Sequence, residues 1–247
     1  MSHLNIERNL KRVREKINTA CQSVGRDPNE VRLLLATKTV SPENINRAID
    51  LGETLIGESK AQELQEKYPN INTEHIETHF IGHLQTNKVN NVLRYATFIH
   101  SVDRLRLGQA LHKRLKRDGR EMDILVQVNT SYEDSKFGVS PEETLNLIEQ
   151  LTELDTLNIK GLMTIGRLSA DPEEARKYFR RLKTIQGQVK ERNFPGVEMD
   201  VLSMGMSRDY EAAVEEGATI VRVGTEIFGE RIYPDSYYWN EQADIND

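Results

Sequence analysis

Apolar positions recur along this chain with two different periods, and stretches of the two kinds alternate. Ile6, Leu10, Val13, Ile17, Cys21 and Val24 keep the three-to-four spacing of one helical face up to Gly25, a residue suited to stop a helix. An amphipathic opening helix is predicted over 1–25. After the turn-like Asp27-Pro28-Asn29, the run 31–37 is short, apolar and bounded, as suits a strand buried on both faces of a parallel sheet. Further runs near 54–58, 77–82, 97–102, 123–129, 159–165, 198–204 and 219–224 have the length and the β-branched or aromatic content of strands. Helix-sized segments separate them. Three helix starts are marked by Ser41-Pro42-Glu43, Ser140-Pro141-Glu142-Glu143 and Asp171-Pro172-Glu173-Glu174. Each supplies a cap oxygen, a proline for the first turn and early negative charge.

Eight strands alternating with helices predict an α/β fold, a single (β/α)8 TIM barrel over 1–232 with the extra N-terminal helix in front. One miscounted strand would make it an open doubly wound sheet instead. Residues 233–247 form an acidic, aromatic C-terminal tail with three tyrosines and Trp239, lying beyond the last strand.

Of the 247 residues 29% are charged, and the formal net charge is −6. That balance argues against an electrostatic nucleic-acid partner, and the densest basic run, Lys113 to Arg117, reads as the solvated face of a helix. Cys21 is the only cysteine, which excludes an intrachain disulfide and a cysteine-rich metal cluster. No apolar run suggests a secretion signal or a membrane span, so a cytoplasmic home with no membrane partner is expected.

Barrel chemistry sits at the C-terminal ends of strands, so the residue closing each apolar run is the one to inspect. Period-two alternation puts Leu34, Ala36 and Lys38 on one side of the first strand and Leu33, Leu35 and Thr37 on the other. If the 33/35 side faces the helices, Lys38 points into the mouth. Desolvation there favours the neutral amine, which attacks carbonyl groups. An outward, hydrated lysine is the alternative, and Lys60 and Lys136 reach toward the same face. In the last strand Val221 and Val223 oppose Arg222 and Gly224, so valines packed outward turn Arg222 inward; a surface salt bridge is the other reading. The loops after the seventh and eighth strands, Ser203-Met204-Gly205-Met206-Ser207 and Gly224-Thr225, lead into helix starts and suit a phosphate cradle, or merely N-caps at Ser207 and Thr225. His75, His79 and His83 are four apart, but a strand over 77–82 separates their side chains, and no matched ligand completes a metal set. No Gly-x-Ser-x-Gly elbow supports a hydrolase triad.

Leu34-Leu35-Ala36-Thr37-Lys38-Thr39, the block from His79 to Lys88, Gly161-Leu162-Met163-Thr164, Ser203-Met204-Gly205-Met206-Ser207 and the block from Val221 to Gly229 occur in one order across 31–231. Together they resemble the signature blocks of the YggS-type pyridoxal phosphate homeostasis family, whose fold is similar to the N-terminal barrel of alanine racemase. The resemblance implies pyridoxal 5′-phosphate as cofactor, held as an imine on Lys38. It also implies that Ser207, Gly224 and Thr225 hold the phosphate with Met206 in the same cofactor-binding set, and that Arg222 faces the pyridine nitrogen. The family usually has Gly-Glu-Asn after the second strand, where this chain has Gly57-Glu58-Ser59; Ser59 thus replaces an amide with a hydroxyl.

A permanently protonated guanidinium at the ring nitrogen weakens the electron sink. The racemase also draws an opposite-face tyrosine base from a second domain, for which only Tyr233, Tyr237 and Tyr238 of the tail could substitute. The expectation is therefore a binding and regulatory protein with no catalytic residues, a monomer that stores, buffers or delivers the cofactor to apo-enzymes and so affects amino-acid and keto-acid balance. A pyridoxal-phosphate-dependent amino-acid racemase, or another lysine-imine enzyme, is the alternative. A sugar-phosphate barrel enzyme using Lys38 without cofactor is the third reading.

Overall fold

The computed structural model describes residues 5–166 and 171–230. The expected 233–247 tail, with Tyr233, Tyr237, Tyr238 and Trp239, lies outside the described residues. The opening helix α1 (Ile6–Ser23) buries Ile6, Leu10, Val13, Ile17 and Cys21, the stripe its spacing predicted. Asn5 caps it by accepting from the Arg8 N–H.

Strands and helices then alternate. The first half runs β1 (Arg32–Ala36), α2 (Pro42–Asp50), β2 (Leu55–Glu58), α3 (Ala61–Lys67), β3 (Glu77–Phe80), α4 (Val89–Val92), β4 (Phe98–Val102) and α5 (Leu105–Asp118). The second half runs β5 (Met122–Gln127), α6 (Thr144–Thr152), β6 (Leu157–Met163), α7 (Pro172–Arg192), β7 (Val201–Met206), α8 (Tyr210–Glu215), β8 (Ile220–Val223) and α9 (Thr225–Phe228). All eight strands pair in parallel in sequence order, and β8 pairs back onto β1, which closes the barrel. The open-sheet alternative is thereby excluded.

The alternation along each strand sorts the core into two regions. Leu33, Leu35, Ile56, Phe80, Ile99, Ile124, Leu202, Val221 and Val223 pack against the helices in the outer core. Leu34, Leu55, Ile81 and Ile220 form one inner cluster with Ala36, and Phe98, Leu125 and Met163 form another. Val201 packs against both, so the two share one interior. The basic run Lys113 to Arg117 lies on α5, where Leu115 is buried and its neighbours face outward. Among the described residues no helix is long and apolar enough to cross a membrane.

Three local expectations shift. The helix expected from Ser140 starts at Thr144; Ser140 instead closes a turn, its carbonyl and hydroxyl oxygens both accepting from the Glu143 N–H. The helix expected near Ser207 starts at Tyr210, after Asp209, because the chain makes one more turn in which the Asp209 N–H donates to the Met206 carbonyl. The seventh strand lies at Val201–Met206 rather than 198–204, since Gly205 continues the strand instead of ending it. Gly205 has φ +89 at an irregularity of the β7–β8 register, and a Cβ there would lie 2.5 Å from Ala213 Cβ and 2.9 Å from Tyr210 Cα. Only glycine lets α8 approach this closely in that backbone conformation.

Gly205→Ala therefore combines an unfavourable φ with overpacking, and is expected to cost about 2–4 kcal/mol. The urea midpoint, with m unchanged, is the measurement, and a midpoint equal to the parent's would remove this account of the glycine.

Candidate functional site

Three neighbouring strand ends gather the residues singled out by the sequence. Because β8 pairs with β1, Leu35 faces Val223 across the seam, and Lys38 emerges beside Gly224 and Thr225. All three line one cleft of about 280 Å³, together with Ala36, Thr39 and Asn44. On the other flank of β8, Met206 stands in register with Arg222. Ser207 follows, its hydroxyl oxygen accepting from the Gly224 N–H at 3.3 Å.

Lys38 is half-buried, and the backbone on either side of it is pinned. Thr37 donates its hydroxyl proton to Glu58 Oε1 at 2.7 Å, and Lys67 Nζ donates to the Thr37 carbonyl at 2.9 Å, to Glu58 at 3.1 Å and to Glu63 at 2.8 Å. The Thr39 N–H donates to Glu63 at 2.9 Å, and Thr39 sits at φ +64. A non-glycine residue in that region needs such over-determination to persist. Burial pushes the Glu58 carboxyl upward, with the Lys67 ammonium and the Thr37 hydroxyl pulling it back.

Gly224 forms a pinch. A Cβ there would come within 2.8 Å of the Ala36 carbonyl oxygen and 3.3 Å of Ala36 Cβ, so the missing side chain lets the loop lie against β1. The residue capping α9 is Gly224 rather than Thr225, and the residue capping α8 is Asp209 rather than Ser207. Neither hydroxyl performs the ordinary N-cap role weighed for it. Asp209 accepts instead from the Met206 N–H at 2.6 Å, which fixes the strand exit.

Arg222 points inward, as the valines required: Val221 and Val223 are fully buried in the outer core, and Arg222 is 4% exposed. Its Nη1 donates to Ser203 Oγ at 2.7 Å and its Nη2 to the Thr164 carbonyl at 2.8 Å. Both acceptors are neutral. Burial pushes the guanidinium down to about 10, with the Asp209 carboxylate opposing the shift, so it stays protonated at neutral pH. A buried cation bonded only to neutral oxygens is costly, and a further electron-pair donor in the mouth lowers that cost.

The three spaced histidines occupy three different surroundings. His75 is exposed, His79 lies inside the barrel, and His83 stacks on Phe137 at the mouth with ring centroids 3.7 Å apart. His79 Nδ1 meets His100 Nε2 at 2.9 Å, and His100 Nδ1 meets Ser203 Oγ at 3.0 Å. Lys136 reaches over the mouth to the Gly166 carbonyl at 2.7 Å. Ser59 is half-buried, its backbone carbonyl packed against Gly82. Lys60 immediately precedes α3 as its N-cap residue. Ser203, His100, Asp209 and the Glu58–Lys67 pair were missed by the sequence. Ser203 stood in a quoted block, and the inward face of β7 was the available signal for it.

The cleft fits pyridoxal phosphate by its chemistry. It offers an amine on a pinned backbone, the Thr225 hydroxyl and a glycine pinch that a Cβ would fill. Beside it on the β7 and β8 ends stand the Ser207 hydroxyl and a buried guanidinium bonded, among the described residues, to neutral acceptors.

Fold and site together define a barrel of the alanine racemase N-terminal-domain class, and the family model of that description matches residues 5–232. The pyridoxal phosphate homeostasis protein of Aquifex aeolicus (strain VF5) is 43% identical over 91% of this chain and 97% of its own length. The structure of PipY from Synechococcus elongatus PCC7942 with PLP bound superposes with a TM-score of 0.76 at 30% identity, covering 86% of this chain and 100% of that one. An alanine racemase of Clostridium difficile 630 shares the fold with a TM-score of 0.73 at 16% identity, covering 94% of this chain and 61% of that one. The chain belongs to the pyridoxal phosphate homeostasis protein family.

The buried imidazoles make stability depend on pH. Burial lowers both His79 and His100 from the ordinary 6.5, so the folded chain binds these protons less readily than the unfolded chain. Their contribution is present above about pH 6.5 and is lost as pH falls below it. His100→Gln removes one of them, so the loss of denaturant stability between about pH 7.5 and about pH 5 is expected to be shallower than in the parent. Equal slopes would mean that His100 takes up a proton as readily in the folded barrel as in the unfolded chain.

Proposed function

We propose that this chain binds pyridoxal 5′-phosphate covalently on Lys38 and acts as a cofactor-holding protein in vitamin B6 homeostasis, with no catalytic residue of its own. The observation that carries the reading is the seam cleft, in which Lys38, Gly224 and Thr225 share one cavity while Ser207 is hydrogen-bonded to Gly224. Family membership adds the cofactor's chemical class.

In this reading Lys38, half-buried at the strand end, would hold the cofactor by its aldehyde carbon through the side-chain amine. Ser207 and Thr225 donate hydroxyl protons to the phosphate, and Gly224 and Met206 give it backbone surface free of side-chain obstruction. Arg222 donates to the ring nitrogen. When bound, the cofactor supplies an electron-accepting ring. A guanidinium that keeps its own proton leaves that ring a weak acceptor, which supports storage and delivery over carbanion chemistry. Asp209, Ser203 and the Glu58–Lys67 pair orient these groups without touching the ligand. One barrel spanning 1–232, working as a cytoplasmic monomer and passing its cofactor to apo-enzymes, completes the proposal.

Purified protein is expected to be yellow, to lose its visible band on Lys38→Ala, and to yield a peptide labelled at residue 38 after borohydride reduction. Label on another lysine, or on none, would sink the assignment. Alanine incubated in heavy water should keep its α-proton; exchange that depends on Lys38 would favour the racemase-like enzyme instead.

Ser207→Ala combined with Thr225→Ala is expected to weaken cofactor retention by roughly 1–3 kcal/mol, as for loss of charge-assisted hydrogen bonds. Equilibrium dialysis gives the number, and an unchanged dissociation constant would remove both hydroxyls from the phosphate.

A further inference from the structure

The barrel interior holds a polar column that the cofactor reading does not use. It begins at Arg222 on β8 and ends at Glu77 on β3, at the opposite end of the barrel. Its links are Arg222 Nη1 to Ser203 Oγ at 2.7 Å, Ser203 Oγ to His100 Nδ1 at 3.0 Å, His100 Nε2 to His79 Nδ1 at 2.9 Å, and His79 Nε2 to Glu77 Oε2 at 3.3 Å. Glu77 Oε1 in turn accepts from Arg32 Nη2 at 2.7 Å.

The two ends fix the direction of every link. The Glu77 carboxylate only accepts, so neutral His79 carries its hydrogen on Nε2 and accepts at Nδ1. With His100 donating from Nε2, its Nδ1 accepts the hydrogen of Ser203, whose Oγ in turn accepts from the donor-only Arg222. Each imidazole is thus a neutral Nε2–H tautomer, assigned by the network around it. A second proton on either imidazole would reverse at least one of these links, turning the Ser203 hydroxyl from donor to acceptor toward His100 or setting N–H against N–H at 2.9 Å between the rings. His79 and His100 are 2% and 0% exposed and pack on Phe98, with centroids 4.7 and 5.1 Å away, so the inner links are shielded from bulk water, while Glu77 at the end of the column is half-exposed.

We propose that Glu77, His79, His100 and Ser203 form a one-directional hydrogen-bond relay that positions Arg222 and ties the partner of the bound cofactor's ring to a carboxylate at the far end of the barrel. This inference rests on the cofactor reading above. In each neutral link the lone-pair end faces Arg222 and the hydrogen faces Glu77, so the aligned dipoles supply negative potential to a cation that, among the described residues, has no directly bonded carboxylate. The charged groups around the column are Arg32 on β1, Glu77 on β3, Asp123 on β5 and Arg222 on β8, with Asp209 beyond β7 acting on Arg222. Of the carboxylates among them, Glu77 is the one joined to the column by a hydrogen bond. Ser203, His100, His79 and Glu77 are positioning residues: they act on the ligand only through Arg222.

Two readouts test this, one of them independent of the cofactor. Nitrogen-15 NMR of imidazole-labelled apoprotein should show His79 and His100 as neutral Nε2–H tautomers, unchanged between about pH 5.5 and pH 8. In the loaded protein, Glu77→Gln removes the terminal charge with little change of shape. The pH midpoint of the visible band should then fall by a few tenths of a unit or more, the sign expected when negative potential is withdrawn from a cationic site. Ser203→Ala should shift the midpoint in the same direction, and Ser203→Thr, which restores the hydroxyl, should return it. A protonated or Nδ1–H imidazole with a normal visible band overturns the relay alone, as do midpoints identical in all variants. Correct tautomers in a protein that takes up no cofactor overturn the cofactor reading and, with it, the tuning.

Discussion

Everything at the mouth depends on the pairing of β8 with β1. The two strands lie at opposite ends of the sequence order, and in an open eight-strand sheet kept in that order their ends would stand about 34 Å apart at ~4.8 Å per strand. Closure brings Leu35 and Val223 into register and sets Lys38 beside Gly224. The pinch at Gly224 depends on the same seam, since its close neighbour is the carbonyl of Ala36 on the facing strand. A lysine and a glycine-hydroxyl turn that are nearly two hundred residues apart become one cleft because the sheet has no edges.

Closure also decides which residues are inside. Branched apolar side chains at 33, 35, 221 and 223 have helices to pack against, so the alternate positions 34, 36 and 222 must face the axis. For Leu34 and Ala36 that costs nothing. For Arg222 it removes a guanidinium from water, and the hydrogen bonds to Ser203 and Thr164 offset only part of that loss. The interior answers with a fully joined polar column between two apolar clusters. Such a column is tolerable only when each member has a partner, because a single unmatched donor in so dry a setting would cost more than the apolar packing it displaced.

How far the sequence could be read follows from how local each feature is. The eight strands, the opening helix and the inward turn of Arg222 were legible because period and alternation are properties of a few consecutive residues. Lys38 was legible as the end of an apolar run. His100 and Ser203 were not, because their roles exist only through contacts across 21 and 103 residues of sequence. For the spaced histidines the strand over 77–82 was enough to separate their side chains, but nothing in the spacing showed that His79 meets His100 inside the barrel. Gly205 read as the end of a strand because a glycine in a strand and a glycine in a turn look alike in sequence, and only the close approach of α8 tells them apart. Ser140 carried every mark of a helix start yet closes a turn one step earlier, which the cap pattern does not distinguish.

The same geometry sets two demands on the cation at the centre of the site. Arg222 must be dry enough to be a strong donor toward the mouth, yet it must not recruit a carboxylate of its own, since a bonded counter-ion would satisfy it and draw it away from any ligand. Acidic groups around the mouth respect that division. Asp209 is held by the Met206 N–H, and Glu58 is held by Thr37 and Lys67 on the outer side of β2. Glu77 is kept a relay's length away and reaches Arg222 only through neutral groups. In the proposed reading these carboxylates therefore place backbone or polarise hydrogen bonds, and the guanidinium keeps hydrogen-bonding capacity for the cofactor's ring nitrogen.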